Sequence, residues 1–120
     1  MMQSVDDLLR KNLDAFGERD AEKRRMDIST IWESDGVFVD PDGPHIGPEA
    51  IDNAIEHLLL KFPEFVFSEL SQPDSHNGIG RLAWGFGPTG KKPVVTGLDV
   101  IVSNAGRIRA LYTFLDPAER

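Results

Sequence analysis

The stretch LLLKFPEFVFSEL, residues 58–70, decides the fold because the spacing of apolar residues changes within it. Before Pro63, apolar residues recur every three or four positions, which is the period of an amphipathic helix. From Glu64 onward the pattern has a period of two, which is typical of a strand. The sequence therefore predicts helices in the first half of the chain and strands in the second.

The first half carries signals for three helices. Ser4 and Asp20 are typical N-cap residues, and Pro48 suits the first position of the third helix. The second helix has the weakest apolar pattern, with Trp32 expected on its buried face and a break expected near Asp27. These three segments account for most of the chain before residue 63.

Strand signals begin at residues 37–40, which are followed by a turn. Further strands are predicted over residues 65–70, 79–86, 93–103 and 107–115, with a turn at 74–78. Short turns between consecutive strands indicate an antiparallel meander. We expect one α+β domain over residues 1–120, in which three N-terminal helices close an apolar pocket against a curved, cone-shaped antiparallel sheet.

Composition excludes several classes of function. The chain has 120 residues, no cysteine and a formal net charge of −7. The missing cysteines exclude a disulfide scaffold and a thiol nucleophile, and three scattered histidines give little basis for a metal site. The acidic balance argues against nucleic acid as a partner. Without a signal peptide or a membrane-length apolar stretch, the expectation is a cytoplasmic protein that does not bind membranes.

Three polar residues stand out in otherwise apolar surroundings. Asn12 lies within the apolar stripe of the first helix, either bonded to nearby backbone or pointing into a cavity. Asp40 shares a strand face with Phe38, and it either starts the following turn or acts as a base whose proton affinity is raised by apolar neighbours. Asp99 lies in the middle of a strand, either as an edge carboxylate paired with an arginine or as a functional group.

Other candidate residues would line a pocket for a flat apolar ligand. His45 lies in the loop after Asp40, where a lone histidine is either solvated or functional. The aromatic residues are mostly core, but in a curved sheet some would face a ligand. Those singled out with His45 are Trp32, Phe38, Phe62, Trp84, Phe86 and Tyr112.

The sequence resembles the nuclear-transport-factor-2-like superfamily, and within it the SnoaL-like polyketide cyclases and bacterial ketosteroid isomerases. The resemblance covers roughly residues 5–116. It rests on GVFVDP at 36–41, GPEAI at 47–51, GLD at 97–99 and NAGRI at 104–108. These motifs mark the fold rather than the function, since the superfamily includes several enzyme classes and non-catalytic binders.

The resemblance implies roles for the three polar residues. Asp40 matches the family's proton-shuttling Asp, and Asp99 matches a buried, protonated Asp that donates to an oxyanion. The family's Tyr on the first helix is replaced here by Asn12, whose amide is a weaker donor. Tyr112 would supply a phenol only if it points inward. An epoxide-hydrolase set of Asp40, Asp99 and Arg81 fits less well, because no Arg has the required spacing.

These observations lead to two hypotheses. In the first, the chain is an isomerase-like or cyclase-like enzyme in which Asp40 removes a proton next to a carbonyl of a hydrophobic ligand. Asp99 and Asn12 would then bond the enolate oxygen, with no cofactor or metal required. In the second, the same fold binds a hydrophobic ligand, or only dimerises, without turnover. The resemblance also implies a homodimer that pairs through the outer face of the sheet.

Overall fold

The computed structural model describes residues 3–117, which form three helices and seven strands. The helices are α1 (Val5–Phe16), α2 (Ala21–Ile31) and α3 (Pro48–Lys61). The strands are β1 (Trp32–Asp40), β2 (Gly43–Ile46), β3 (Phe65–Glu69), β4 (Asp74–His76), β5 (Ile79–Pro88), β6 (Val95–Asn104) and β7 (Arg107–Leu115). None of the described helices is both long enough and apolar enough to cross a membrane.

Local capping chemistry explains where the helices begin. The Ser4 hydroxyl accepts a hydrogen bond from the Asp7 amide at 3.1 Å, and Asp20 accepts from two amides in the first turn of α2. Each such cap stabilises its helix by about 1 kcal/mol. Pro48 is the first residue of α3, as predicted. The predicted break near Asp27 is wrong, because α2 continues through that position to Ile31.

The seven strands form one sheet in the order β2-β1-β7-β6-β5-β3, with β4 paired to β5. Every neighbouring pair is antiparallel except β1 and β7, which are parallel. The predicted α+β fold with a curved sheet is confirmed, although the sheet is mixed rather than wholly antiparallel. The parallel pair joins strands far apart in the chain, so the local spacing of apolar residues does not reveal it.

Trp32 corrects the predicted boundary between the second helix and the first strand. It is the first residue of β1 rather than part of a helical face, and only 1% of it is exposed. Its indole Nε1 donates to the Asn12 Oδ1 at 3.0 Å. Gly36 makes room for the ring, because a Cβ there would lie 2.6 Å from an indole carbon. Two other short strands, β2 and β4, occur where turns were predicted.

The two faces of the sheet differ in what covers them. The face that packs against the helices, called the inner face, carries buried residues such as Phe38, Leu82, Ile101 and Leu111. Residues that alternate with these, such as Tyr112 and Phe114, are exposed on the opposite face, called the outer face. The polar candidates that follow are assigned to one face or the other by alternation along their strands.

A buried ion network joins α2 to α3. The Arg24 guanidinium is fully buried and donates from Nε to the Asp52 Oδ1 at 2.7 Å. It also donates to the Glu56 carboxylate and, at 2.8 Å, to the Glu18 carbonyl oxygen. Three acceptors thus satisfy the charge of Arg24 inside the protein, as a buried cation requires.

Candidate functional site

A cleft of about 580 Å³ opens between the β1–β2 hairpin and one flank of α3. Phe16, at the end of α1, also lines it, and its ring makes an edge-to-face contact with Phe38 at 5.1 Å. The remaining lining residues are Asp40, Asp42, His45, Ala50, Asn53, Ala54, Ile55, His57, Leu58, Lys61 and Phe62. Seven of these thirteen lining residues are apolar and six are polar or charged, and small-molecule sites likewise combine apolar surface with polar groups.

Asp40 ends β1 and presents its carboxylate to this cleft. Its Oδ1 accepts a hydrogen bond from the Asp42 amide at 3.0 Å and lies 3.2 Å from the His45 Nε2. Both contacts involve Oδ1, and Oδ2 has no hydrogen bond to any residue in the range 3–117. One carboxylate oxygen is therefore held in place while the other can accept a proton.

His45 is held against Asp40 by the pairing of β1 with β2. It lies directly opposite Phe38 in the antiparallel register, and the two rings stack with centroids 5.2 Å apart. The stacking fixes the plane of the imidazole and so the direction of its nitrogens. When Nε2 donates to Asp40, Nδ1 is the acceptor nitrogen of the neutral ring.

The α3 wall of the cleft carries polar residues to which the sequence assigned no role. Asn53, His57 and Lys61 are spaced four residues apart, so they follow one another along the helix. His57 is exposed and lies at the edge of the cleft. The spacing of four residues is visible in the sequence and predicts that these three side chains lie on one side of the helix.

Asp99 lies on the inner face and is only 6% exposed. Its Oδ1 accepts hydrogen bonds from the Trp84 Nε1 at 2.9 Å and the Thr113 hydroxyl at 2.8 Å, so its partners are not arginines. Burial raises the pKa of Asp99 to about 6, while the bonds from Thr113 and Trp84 oppose that shift. A small change of environment therefore changes its charge near neutral pH.

The second oxygen of Asp99 remains accessible. Its Oδ2 has no hydrogen bond to a described residue, yet no fully buried side-chain polar atom among those residues lacks a partner. Oδ2 must therefore retain some contact with accessible space. Gly97 supports this arrangement, because a Cβ there would lie 2.4 Å from the Trp84 ring and displace the indole that bonds Asp99.

The sheet register relates the two aspartates. Asp99 pairs with Thr113 across β6 and β7, and Tyr112 pairs with Val39 across β7 and β1. Asp40 follows Val39 and is therefore level with Thr113 on the inner face. Two strand spacings place the Asp40 and Asp99 Cα atoms about 10 Å apart. The carboxylates share a face, but Asp99 does not line the cleft.

The structure brings together some of the predicted site residues and separates others. Those that line the cleft are Asp40, Phe38, His45 and Phe62. The buried side chains away from its lining are Asn12, Trp32, Trp84, Phe86 and Asp99. Tyr112 alternates with two inner-face residues and is 40% exposed, so it lies on the outer face. Asn12, as predicted, is buried, and its oxygen is bonded to Trp32.

Comparison with solved structures identifies the family. A candidate isomerase of the SnoaL-like family from Agrobacterium tumefaciens is 31% identical in sequence. The match covers 92% of this chain and 96% of that one, with a TM-score of 0.87. The chain belongs to the SnoaL-like family. Neither a scan against protein families nor a search of curated proteins finds a match to this SnoaL-like protein.

More distant structures share the fold of this SnoaL-like protein. A candidate polyketide cyclase from Sinorhizobium meliloti is 19% identical over 90% of this chain and 94% of that one, with a TM-score of 0.73. A candidate ketosteroid isomerase from Kribbella flavida is 10% identical over 95% and 78%, with a TM-score of 0.72. An NTF2-like (nuclear-transport-factor-2-like) protein from Cytophaga hutchinsonii is 17% identical over 98% and 94%, with a TM-score of 0.71. At these identities the likeness shows the predicted fold and no activity.

Proposed function

We propose that this SnoaL-like protein transfers a proton next to the carbonyl group of an apolar ligand, with Asp40 as the base. The single observation that carries the proposal is the hydrogen bonding of the Asp40 carboxylate in the cleft. One oxygen is fixed by the Asp42 amide and His45, and the other has no hydrogen bond to a residue between 3 and 117. A base for general catalysis needs such an oxygen within reach of the substrate.

The cleft suits a ligand with an apolar ring system. Aromatic and aliphatic side chains from α1, β1 and α3 contribute most of its lining, chiefly Phe16, Phe38, Leu58 and Phe62. Burying a ligand against these groups contributes roughly 25 cal/mol per Å² of apolar surface. Affinity would come from this contact, which leaves Asp40 to act on the ligand's polar end.

The proposed step is a reversible proton transfer. The Asp40 carboxylate takes a proton from the carbon next to the carbonyl, and the electron pair of that C–H bond becomes the enolate. The resulting Asp40 acid then returns the proton to the same or a conjugated carbon. No oxidant, reductant or leaving group is involved, so the step balances with the ligand and Asp40 alone.

Asp99 is proposed to donate to the enolate oxygen in its acid form. The support is its position on the inner face, where Thr113 of β7 lies between it and Asp40, and the burial that raises its pKa. The proposal needs the ligand's oxygen to reach Oδ2. The Asn12 amide nitrogen is a second candidate donor, since it has no hydrogen bond to a described residue, although Asn12, like Asp99, does not line the cleft.

Hydrogen exchange tests the assignment of the base. Benzylacetone in D2O should lose its proton NMR signals next to the carbonyl faster with the protein than without it. Asp40→Asn should slow the catalysed rate about 10²-fold or more. Asp42→Asn is the matched control, since it removes a carboxylate from the same cleft and leaves the backbone amide that bonds Asp40. Equal rates for the two variants would show that Asp40 is not the base.

A non-catalytic binding module is the second candidate function. The observation that favours it is that Asn12 and Asp99 each accept a bond from an indole, which is a sufficient structural role. Saturable binding of benzylacetone with no catalysed exchange by the wild-type protein would support this alternative over the enzyme.

We also infer that two copies pair through the outer face. Large apolar side chains are exposed there, including Tyr112 and Phe114. Pairing would remove such a patch from water. Sedimentation should show a dimer that Phe114→Glu converts to a monomer, and a monomeric wild-type protein would contradict the inference.

A further inference from the structure

The polar groups of the cleft are divided by charge between its two walls. The hairpin wall carries the carboxylates of Asp40 and Asp42. The α3 wall carries Lys61, which is the single Lys or Arg among the residues that line the cleft. A ligand between these walls therefore meets negative charge on one side and positive charge on the other.

Lys61 makes no ion pair with any residue in the range 3–117. Its Nζ lies 5.6 Å from the centre of the Phe62 ring, which is itself part of the cleft lining. Lys61 is the basic residue in the last turn of α3, but it is Arg19 that donates to the carbonyl oxygens of Leu59 and Phe62, at 2.9 and 2.8 Å. A cation beside an apolar surface, with no carboxylate of its own, is available to an anion.

We propose that the ligand is an apolar carbonyl compound with a carboxylate at its far end, and that Lys61 binds that carboxylate. This inference rests on the proposed function, since it takes the carbonyl end to lie at Asp40. The two aspartates on the hairpin wall repel an anionic group. Lys61 attracts it on the opposite wall, so charge sets the direction in which the ligand lies.

The net charge of the whole protein disfavours the binding of an anion. With a formal net charge of −7, the protein as a whole repels an anionic ligand. A preference for the anion over its neutral analogue must therefore come from a local cation. Of the cleft residues, Lys61 is the one that carries a permanent positive charge.

The test compares two probes that differ in one charge: para-carboxybenzylacetone and its methyl ester. Calorimetry at low salt should give a dissociation constant about fivefold lower for the acid than for the ester. Lys61→Met keeps the aliphatic stem and should remove the preference, whereas Lys61→Arg should retain it. Lys91→Met is the matched control, because this exposed lysine in the β5–β6 turn does not line the cleft.

The outcomes separate this inference from the proposed function. Equal binding of acid and ester by the wild-type protein, or a preference that survives in Lys61→Met, would overturn the role of Lys61 whatever the exchange rates are. A preference that depends on Lys61, without any Asp40-dependent exchange, would overturn the base and retain the ligand class. Failure of both probes to bind at millimolar concentration would also overturn the inference.

Discussion

The two flanks of α3 differ in whether their charged residues are paired within the protein. On the flank facing α2, Asp52 and Glu56 bond the buried Arg24. On the flank facing the cleft, Lys61 has no ion pair with a described residue, and the facing Asp40 has one oxygen without a hydrogen bond. The charged groups on one flank are paired within the protein, whereas those on the other are available to water or to a ligand.

This difference means that one flank of α3 is needed for folding, whereas the other is available for binding. Buried charges must be paired for the protein to fold, because each unpaired ion costs several kcal/mol. Partly exposed polar groups in a cleft carry no such requirement, since water satisfies them when the cleft is empty. Changes on the first flank should therefore alter folding, and changes on the second should alter binding.

The largest expected effect is the loss of the ion network. Arg24→Met leaves Asp52 buried without its main partner and should lower the free energy of unfolding by about 3–5 kcal/mol, measured by urea denaturation. The control is Arg25→Met. That arginine is 59% exposed and lies 3.7 Å from the Asp52 Oδ2, so the expected change is below about 0.5 kcal/mol. Similar losses in the two variants would contradict the comparison.

Asp99 is a buried carboxylate without a cation, and it should make stability depend on pH. Its pKa is about 6 in the folded protein against an ordinary value of 3.8, so the folded state binds the proton more tightly. The free energy of unfolding should therefore fall by up to about 3 kcal/mol as pH rises from about 4 to about 6.

Asp99→Asn isolates this contribution. The amide oxygen can still accept from Trp84 and Thr113, but the side chain no longer titrates. The difference in stability between the wild-type protein and the variant should change across that pH range and be constant above it. Parallel pH profiles for the two proteins would show that Asp99 does not titrate as described.

The smallest effect on stability is expected on the cleft flank. His57→Gln and Lys61→Met each remove a side chain that makes no ion pair with a described residue, so the free energy of unfolding should change by less than about 0.5 kcal/mol. The same Lys61 variant should lose the preference for an anionic probe. A loss of more than about 1 kcal/mol, which is typical of removing a buried hydrogen bond, would show that Lys61 stabilises the fold instead.

Local signals in the sequence predicted most of the fold. The caps at Ser4 and Asp20, and the period of two after Pro63, depend on neighbouring residues alone. The parallel pairing of β1 with β7 depends on contacts far apart in the chain. The prediction that Trp32 lies on a helix is wrong for the same reason, because Trp32 bonds to Asn12, twenty residues away.

The candidate site was predictable only in part. Asp40 and His45 are close in sequence, so a shared location could be expected, and the structure shows their contact. The partners of Asp99 are Trp84 and Thr113, which the sheet register brings together and the sequence alone does not. Lys61 joins the site because α3 lies against the hairpin, which is a tertiary contact.

Occupation of the cleft between the hairpin and α3 by the ligand is tested most directly by ¹⁵N NMR during addition of benzylacetone. The backbone amides of Asp40, His45 and Leu58 should shift in a saturable way, because these residues line the cleft. The indole N–H of Trp32, which is bonded to the buried Asn12, should stay unchanged. A saturable shift of that indole with no change at the cleft amides would contradict the account.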